Sequence, residues 1–266
     1  MIASTSLAPY LPDREPSVRV LTYHRFGTTP RDPFCVSVAD FDRQMSYIAE
    51  HNLAVSLQDV EAFIEGKKGI ARNSLLITID DGFRSTYLDA LPVLEHYAVP
   101  AVAFISPGLM DDSSPVSRED HRPEPYISWD EARILQERGI TIGSHAMTHR
   151  SVARISREQA HREIFLSRQV LKERLGEPVS AFAYPFGTRA DFNTSTASLI
   201  RDAGYTCAFT SQHGVIPAGS DAYALPRVKV EGGEGLWLFR RIARGGLDAW
   251  RWIDRALWRI QASGSG

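Results

Sequence analysis

Two adjacent carboxylates and two histidines are the residues of this 266-residue chain best suited to chemistry. Asp80 and Asp81 end the run Leu75-Leu76-Ile77-Thr78-Ile79, and Gly82 follows at once. Such an apolar, β-compatible run reads as a strand buried on both faces of a parallel sheet. Carboxylates at its carboxyl end are costly to desolvate unless a metal or a shared proton compensates them. Capping the helix expected from Ser85 would need only one of the two. A second run, Gly139-Ile140-Thr141-Ile142-Gly143-Ser144, ends in His145, with His149 four residues on. Histidines so spaced meet on one face if the chain turns helically between them. Alone, that pair reads first as a solvated helix face; both strand ends in one chain reverse the preference. Two imidazoles and one carboxylate of the Asp pair make three protein ligands with a position open for water.

Strands sharing one direction must deliver these side chains. Residues 18–24 read as a strand tipped by His24, followed by a helix with an Asp40 cap reaching about His51. A short strand is expected over Leu53–Leu57 and a short helix over Gln58–Ile64. The Asp80 strand and a helix from Ser85 to Tyr97 come next, with Pro92 marking a kink or a first turn. Ala101–Ile105 is the following strand. Residues 107–126, rich in proline and acids, are expected to form a rim loop over the substrate. A helix over Trp129–Arg138 leads into the His145 strand, and Ser156–Leu175 is a longer helix with Ser156 and Gln159 as a capping box. Strands at 180–184 and 206–210 flank a helix near 194–203, and Leu225–Val230 reads as the last strand. This alternation predicts parallel strands with right-handed crossovers, and seven or so units favour a closed or nearly closed barrel. Functional residues of such folds gather at the carboxyl ends of strands, where Asp80, Asp81, His145, His24 and the 184–187 turn all fall.

Thr78-Ile79-Asp80-Asp81-Gly82 and Ser144-His145-Ala146-Met147-Thr148-His149 resemble the first two motifs of the polysaccharide deacetylases, the NodB-homology domain of carbohydrate esterase family 4. Ala183-Tyr184-Pro185-Phe186-Gly187 resembles the third, and the resemblance spans roughly residues 18–230. It implies an α/β, single-domain, distorted (β/α)7 barrel. It also implies Asp80 as the catalytic base and Asp81, His145 and His149 as ligands of one divalent metal ion. Zinc is the first candidate for that ion, with nickel or cobalt also admitted by the donor set. The Phe186 N–H would help hold the oxyanion, being the first donor after Pro185, and Tyr184 falls in the same substrate-side turn. Two positions depart from the pattern. Ala183 stands where the third motif has an arginine, and no Leu-x-His motif follows residue 213; His213 itself reads as part of a loop connection. One subgroup is circularly permuted and takes its acid histidine from an N-terminal strand, an arrangement that Leu21-Thr22-Tyr23-His24 resembles. His24 is therefore expected as the general acid, and Arg227, in Leu225-Pro226-Arg227-Val228, as the replacement guanidinium orienting Asp80.

Composition sets the outer bounds. At 43% hydrophobic and 23% charged residues the chain is an ordinary globular one, and its net charge of -2 gives no electrostatic ground for a nucleic-acid partner. Cys35 and Cys207 are too far apart for a metal-type spacing and imply no disulfide framework. The expected organisation is an N-terminal extension over 1–17, a deacetylase domain over 18–245, and an amphipathic helix with a flexible tail over 246–266. Residues 247–261 carry Arg251, Arg255 and Arg259 on one face and Trp250, Ile253, Leu257 and Ile260 on another. Packing against the barrel or a partner chain is the favoured reading of that face, and a peripheral membrane contact the alternative. With no secretory signal and no membrane-length apolar run, the location expected is cytoplasmic. The expected activity is metal-dependent removal of N-acetyl groups from an amino sugar in a polysaccharide, oligosaccharide or lipid-linked saccharide. The alternatives are an amide hydrolase for a small non-sugar substrate and a catalytically silent carbohydrate-binding barrel.

Overall fold

A computed structural model describes residues 15–28, 32–110 and 124–248. The described strands are β1 (Ser17–Tyr23), β2 (Arg25–Phe26), β3 (Cys35–Val36), β4 (Ser74–Ile79), β5 (Ala101–Ile105), β6 (Thr141–Ser144), β7 (Ala181–Ala183), β8 (Cys207–His213), β9 (Ile216–Pro217) and β10 (Leu225–Lys229). Seven of them, β1, β4, β5, β6, β7, β8 and β10, pair in parallel in that order, and β10 returns to β1 with Leu21 opposite Val228. The sheet is therefore a closed barrel. β9 adds antiparallel to the start of β1, and β2 and β3 form a small parallel ladder of their own. The helices are α1 (Val38–Glu50), α2 (Leu57–Ile64), α3 (Leu91–Tyr97), α4 (Trp129–Glu137), α5 (Arg157–Leu175), α6 (Thr194–Asp202) and α7 (Gly235–Ala243). None of the described helices is long and apolar enough to cross a membrane.

The apolar runs are continuous because both faces of each strand are covered. Val18, Val20, Leu76, Val102, Phe104, Ala181, Ala183, Cys207, Phe209 and Leu225 fall in one buried cluster, the bore of the barrel. Leu21, Tyr23, Leu75, Ile77 and Ile79 alternate with them and pack in the larger cluster with the helices. Leu57, Val60, Phe63 and Ile64 of α2 belong to the bore cluster, so this helix stoppers the amino-terminal end of the barrel. Gly143 has a packing role: a Cβ there would run into the ring of Phe104, which fills the bore against Phe209 at 5.6 Å.

Several local expectations change. Ser37, not Asp40, caps α1, its hydroxyl accepting from the Asp40 N–H at 3.0 Å. The strand expected over Leu53–Leu57 reduces to a bridge between Ala54 and Leu75, because Ser56 opens α2 with a capping box. The helix expected from Ser85 to Tyr97 divides into a π-helical turn, Thr86–Ala90, and α3, with Pro92 in the first turn of the latter. His213 closes β8 instead of lying in a loop, and its Nε2 meets Leu247 O at 3.0 Å. Ser156 and Gln159 do form a capping box. Most of the 1–17 extension, residues 111–123 of the expected rim loop and 249–261 of the amphipathic C-terminal stretch lie outside the described residues.

Candidate active site

Barrel register carries one residue past the strand ends. Tyr23 pairs with Ile79, and the next backbone bond runs from Asp80 N to Tyr23 O at 2.9 Å, so His24 and Asp80 leave the sheet side by side. His145 N likewise donates to Ile105 O at 2.9 Å, and Tyr184 N to Phe209 O at 2.9 Å. His24, Asp80, Asp81, His145, His149, Tyr184, Phe186 and Arg227 all line one cavity of ≈ 490 Å³ at this rim.

Asp81, His145 and His149 converge there. Their ligand atoms lie within 4.8 Å of one another, and both histidines aim Nε2 at the same carboxylate oxygen, Asp81 Oδ1, at 3.5 and 3.1 Å. His145 Nδ1 meets Ala183 O at 2.7 Å, which assigns the ring proton to Nδ1 and leaves the Nε2 lone pair facing the site. Burial raises the Asp81 carboxyl, but the two imidazoles facing it overcome this and, with no metal bound, hold the group well below its ordinary value. This is the donor set and orientation a divalent cation requires, so the residues fit the metal that the motifs imply. The backbone is bent to make it. Asp81, Ala146 and His149 have φ of 74°, 61° and 58°, a region costly for side-chain-bearing residues. Gly82 continues the first turn at φ 76°, where a Cβ would press on Ile105 at 3.0 Å.

Asp80 stands beside the triad in a separate grip. Arg227 Nη1 and Nη2 donate to its two oxygens at 2.7 Å each, while Arg227 Nε is anchored on Thr210 O at 2.9 Å. Phe104 lies under the guanidinium, 5.8 Å from its carbon. Burial raises the Asp80 carboxyl; Arg227, with His145 and His24, pulls it below its ordinary value. His24 presents the reverse balance. Burial lowers its pKa, Asp81 and Asp80 raise it, and burial prevails. Its Nδ1 is buried with no hydrogen-bond partner among the described residues, and Phe34 packs edge-on at 4.9 Å.

Phe186 is 59% exposed, at φ 62°, and its ring meets His149 edge-on at 5.0 Å. Its carbonyl is held by Ser211 Oγ at 2.7 Å, and no acceptor among the described residues takes its N–H. Tyr184 borders the cavity, but its hydroxyl donates to Tyr223 O at 3.0 Å, a bond that secures the wall of the barrel. The structure adds residues that motif reasoning missed. Phe34 supplies exposed aromatic surface, Phe83 backs the wall beneath Arg25, and Arg25 and Lys229 supply charge, with the Lys229 ammonium 4.6 Å from the Phe34 ring. Lys229 was within reach of strand periodicity, since it shares a face with Arg227 two residues earlier. Phe34 carries no such signal.

Comparison with known proteins settles the family. The polysaccharide deacetylase family model matches residues 67–208, more than half of the chain. The chain belongs to the polysaccharide deacetylase family. A poly-β-1,6-N-acetyl-D-glucosamine N-deacetylase of Staphylococcus aureus (strain N315) is 23% identical over 241 residues, covering 82% of this chain and 80% of its own. Among solved structures, the deacetylase PplD of Streptococcus pyogenes, in complex with acetate, superposes with a TM-score of 0.75 at 18% identity, over 86% of this chain and 98% of its own. IcaB from Ammonifex degensii gives 0.73 at 24% identity, over 86% and 97%. These likenesses establish a deacetylase (β/α)7 fold, and the family establishes deacetylation as the general activity.

Proposed function

We propose that this polysaccharide deacetylase is a metal-dependent hydrolase acting on the acetamido group of an N-acetylated amino sugar. One observation carries the reading. An Asp-His-His ligand set, an arginine-locked carboxylate and a histidine with a partnerless buried nitrogen share a single cavity. Asp81, His145 and His149 would hold one divalent ion, zinc before nickel or cobalt. Such an ion, when bound, lowers the pKa of a water and polarises the amide carbonyl.

The chain's own groups do the rest. Asp80, kept ionised and fixed in direction by Arg227, takes a proton from the attacking water. The Phe186 N–H donates to the carbonyl oxygen as negative charge gathers on it. The C–N bond then breaks with its electron pair going to nitrogen, and protonated His24 supplies the proton that makes the leaving amine neutral. An imidazole, whose ordinary pKa lies near neutral, suits that role. Phe34, exposed at the rim, offers apolar surface to a sugar ring, and the Staphylococcus aureus relative is named for a polymer of N-acetylated glucosamine, which supports a saccharide substrate.

The test is acetate release from a panel of β-1,6- and β-1,4-linked N-acetylglucosamine oligomers and small acetamides, with metal content measured on the same sample. Release from the saccharides, at about one ion per chain, is the expected result. Release from small amides alone would replace the sugar, and saccharide binding without release at full metal occupancy would replace the chemistry.

A further inference from the structure

The turn from His145 to His149 is gripped from outside the cavity at three points. Ser106 Oγ donates to His145 O at 2.7 Å, and Gly108 N donates to Met147 O at 2.8 Å. The third grip is of a different kind. Glu163, in the interior of α5, accepts from Thr148 N at 2.7 Å with one oxygen and from Thr148 Oγ1 at 2.6 Å with the other. Glu163 is buried, and among the described residues no basic side chain pairs with it. A carboxylate taken into the protein without a counter-charge is costly, and only its hydrogen bonds compensate. The fork matches the two parallel donors of a single residue. A neutral amide side chain could meet both only by turning the Thr148 hydroxyl round to accept from its NH2, and it would lose the charge that strengthens both bonds.

Thr148 immediately precedes His149, whose φ of 58° is a conformation an L-residue rarely adopts. A residue held by its N–H and its hydroxyl at once cannot rotate as a unit, so the peptide joining it to His149 keeps its plane. We infer that Glu163 is a positioning residue that sets the direction of His149 Nε2 through Thr148, and with it the affinity of the site for its metal. The inference rests on reading Asp81, His145 and His149 as metal ligands.

Metal affinity, measured by competition with a chromophoric chelator, tests it alongside the melting temperature of the metal-free proteins. Glu163→Gln should weaken metal binding by about 10–100-fold, the usual effect of losing a partner behind a ligand. Thr148→Val should weaken it in the same direction, while Thr148→Ser, which keeps both donors, should restore wild-type affinity. The Glu163→Gln, Thr148→Val double variant should bind no more weakly than Glu163→Gln alone, because the two act through one contact. A Glu163→Gln protein that melts earlier yet binds metal within about twofold of wild type would overturn the inference, leaving Glu163 a brace for the loop. If Glu163→Gln does not fold, the Thr148→Val and Thr148→Ser pair decides by the same affinity criterion. A wild-type protein that binds no metal would overturn the ligand reading and this inference together; intact wild-type binding with an unaffected Glu163→Gln overturns this one alone.

Discussion

Arg227 reaches Asp80 with both terminal nitrogens while its Nε is tied to Thr210 O, so the guanidinium has little freedom left. Replacing it with methionine would leave Asp80 buried and unpaired. A loss of about 3–5 kcal/mol is expected in urea denaturation, with turnover collapsing as the Asp80 carboxyl drifts upward. Arg227→Lys should recover part of the stability and little of the turnover, since an ammonium cannot make the fork. Wild-type turnover in Arg227→Met would show that the base needs no such partner. At His24 the expected result of an alanine substitution is a folded, metal-binding protein with turnover reduced roughly 10²–10⁴-fold. The same residue should leave a mark on the metal-free protein. Its pKa is lowered on folding from 6.5, so the unfolded chain takes up a proton that the folded one refuses. The stability it contributes is complete above pH 6.5 and is lost as pH falls from there through the folded pKa. His24→Gln should flatten that limb of a melting-temperature profile, and an unchanged limb would assign it to other groups.

Asp80, His145 and His24 sit one residue past the ends of β4, β6 and β1, and those stops were legible. The apolar runs ending at Asp80 and His145 marked two of them, and the strand ending at His24 fell in register with the first. The Arg227–Asp80 pair was readable only as a conjecture, because its partners are 147 residues apart and no local pattern links them. The left-handed turn at Phe186 was invisible, since phenylalanine does not announce such a conformation, while Asp81 and His149 are residue types that tolerate it without signalling it. The fork from Glu163 was invisible too, because a glutamate inside a helix ordinarily reads as a solvated one. Gly143 shows how a strand-level detail reaches the chemistry: Phe104 fills the space its Cβ would need, and Phe104 lies under Arg227. Gly143→Ala should cost about 1–3 kcal/mol through overpacking and lower turnover as well, by displacing the support beneath the guanidinium. Equal stability of the two proteins in urea would mean that the barrel yields there at no cost.

At the scale of the molecule, seven strand-helix units forecast a barrel correctly because closure is what a parallel sheet of that number can do to remove its edges. The order of the strands around it follows the order of the chain, and the solved deacetylase structures share it over 86% of this chain. Rhythm alone could not foresee how the lower end is finished. The fit of α2 depends on four apolar residues, Leu57, Val60, Phe63 and Ile64, meeting the bore, and a short amphipathic helix has the same pattern wherever it docks.

That stopper, with Phe104 and Phe209 above it, closes the bore beneath the site. If the proposed saccharide substrate is hydrolysed with its acetyl group pointing toward the closed bore, acetate is the product left deepest. On that reading acetate departs after the amine, and a site that still holds it is closed to the next substrate. Acetate should accordingly inhibit in competition with saccharide, raising apparent KM and leaving kcat alone. A noncompetitive pattern in initial-rate measurements would reveal a side exit from the cavity.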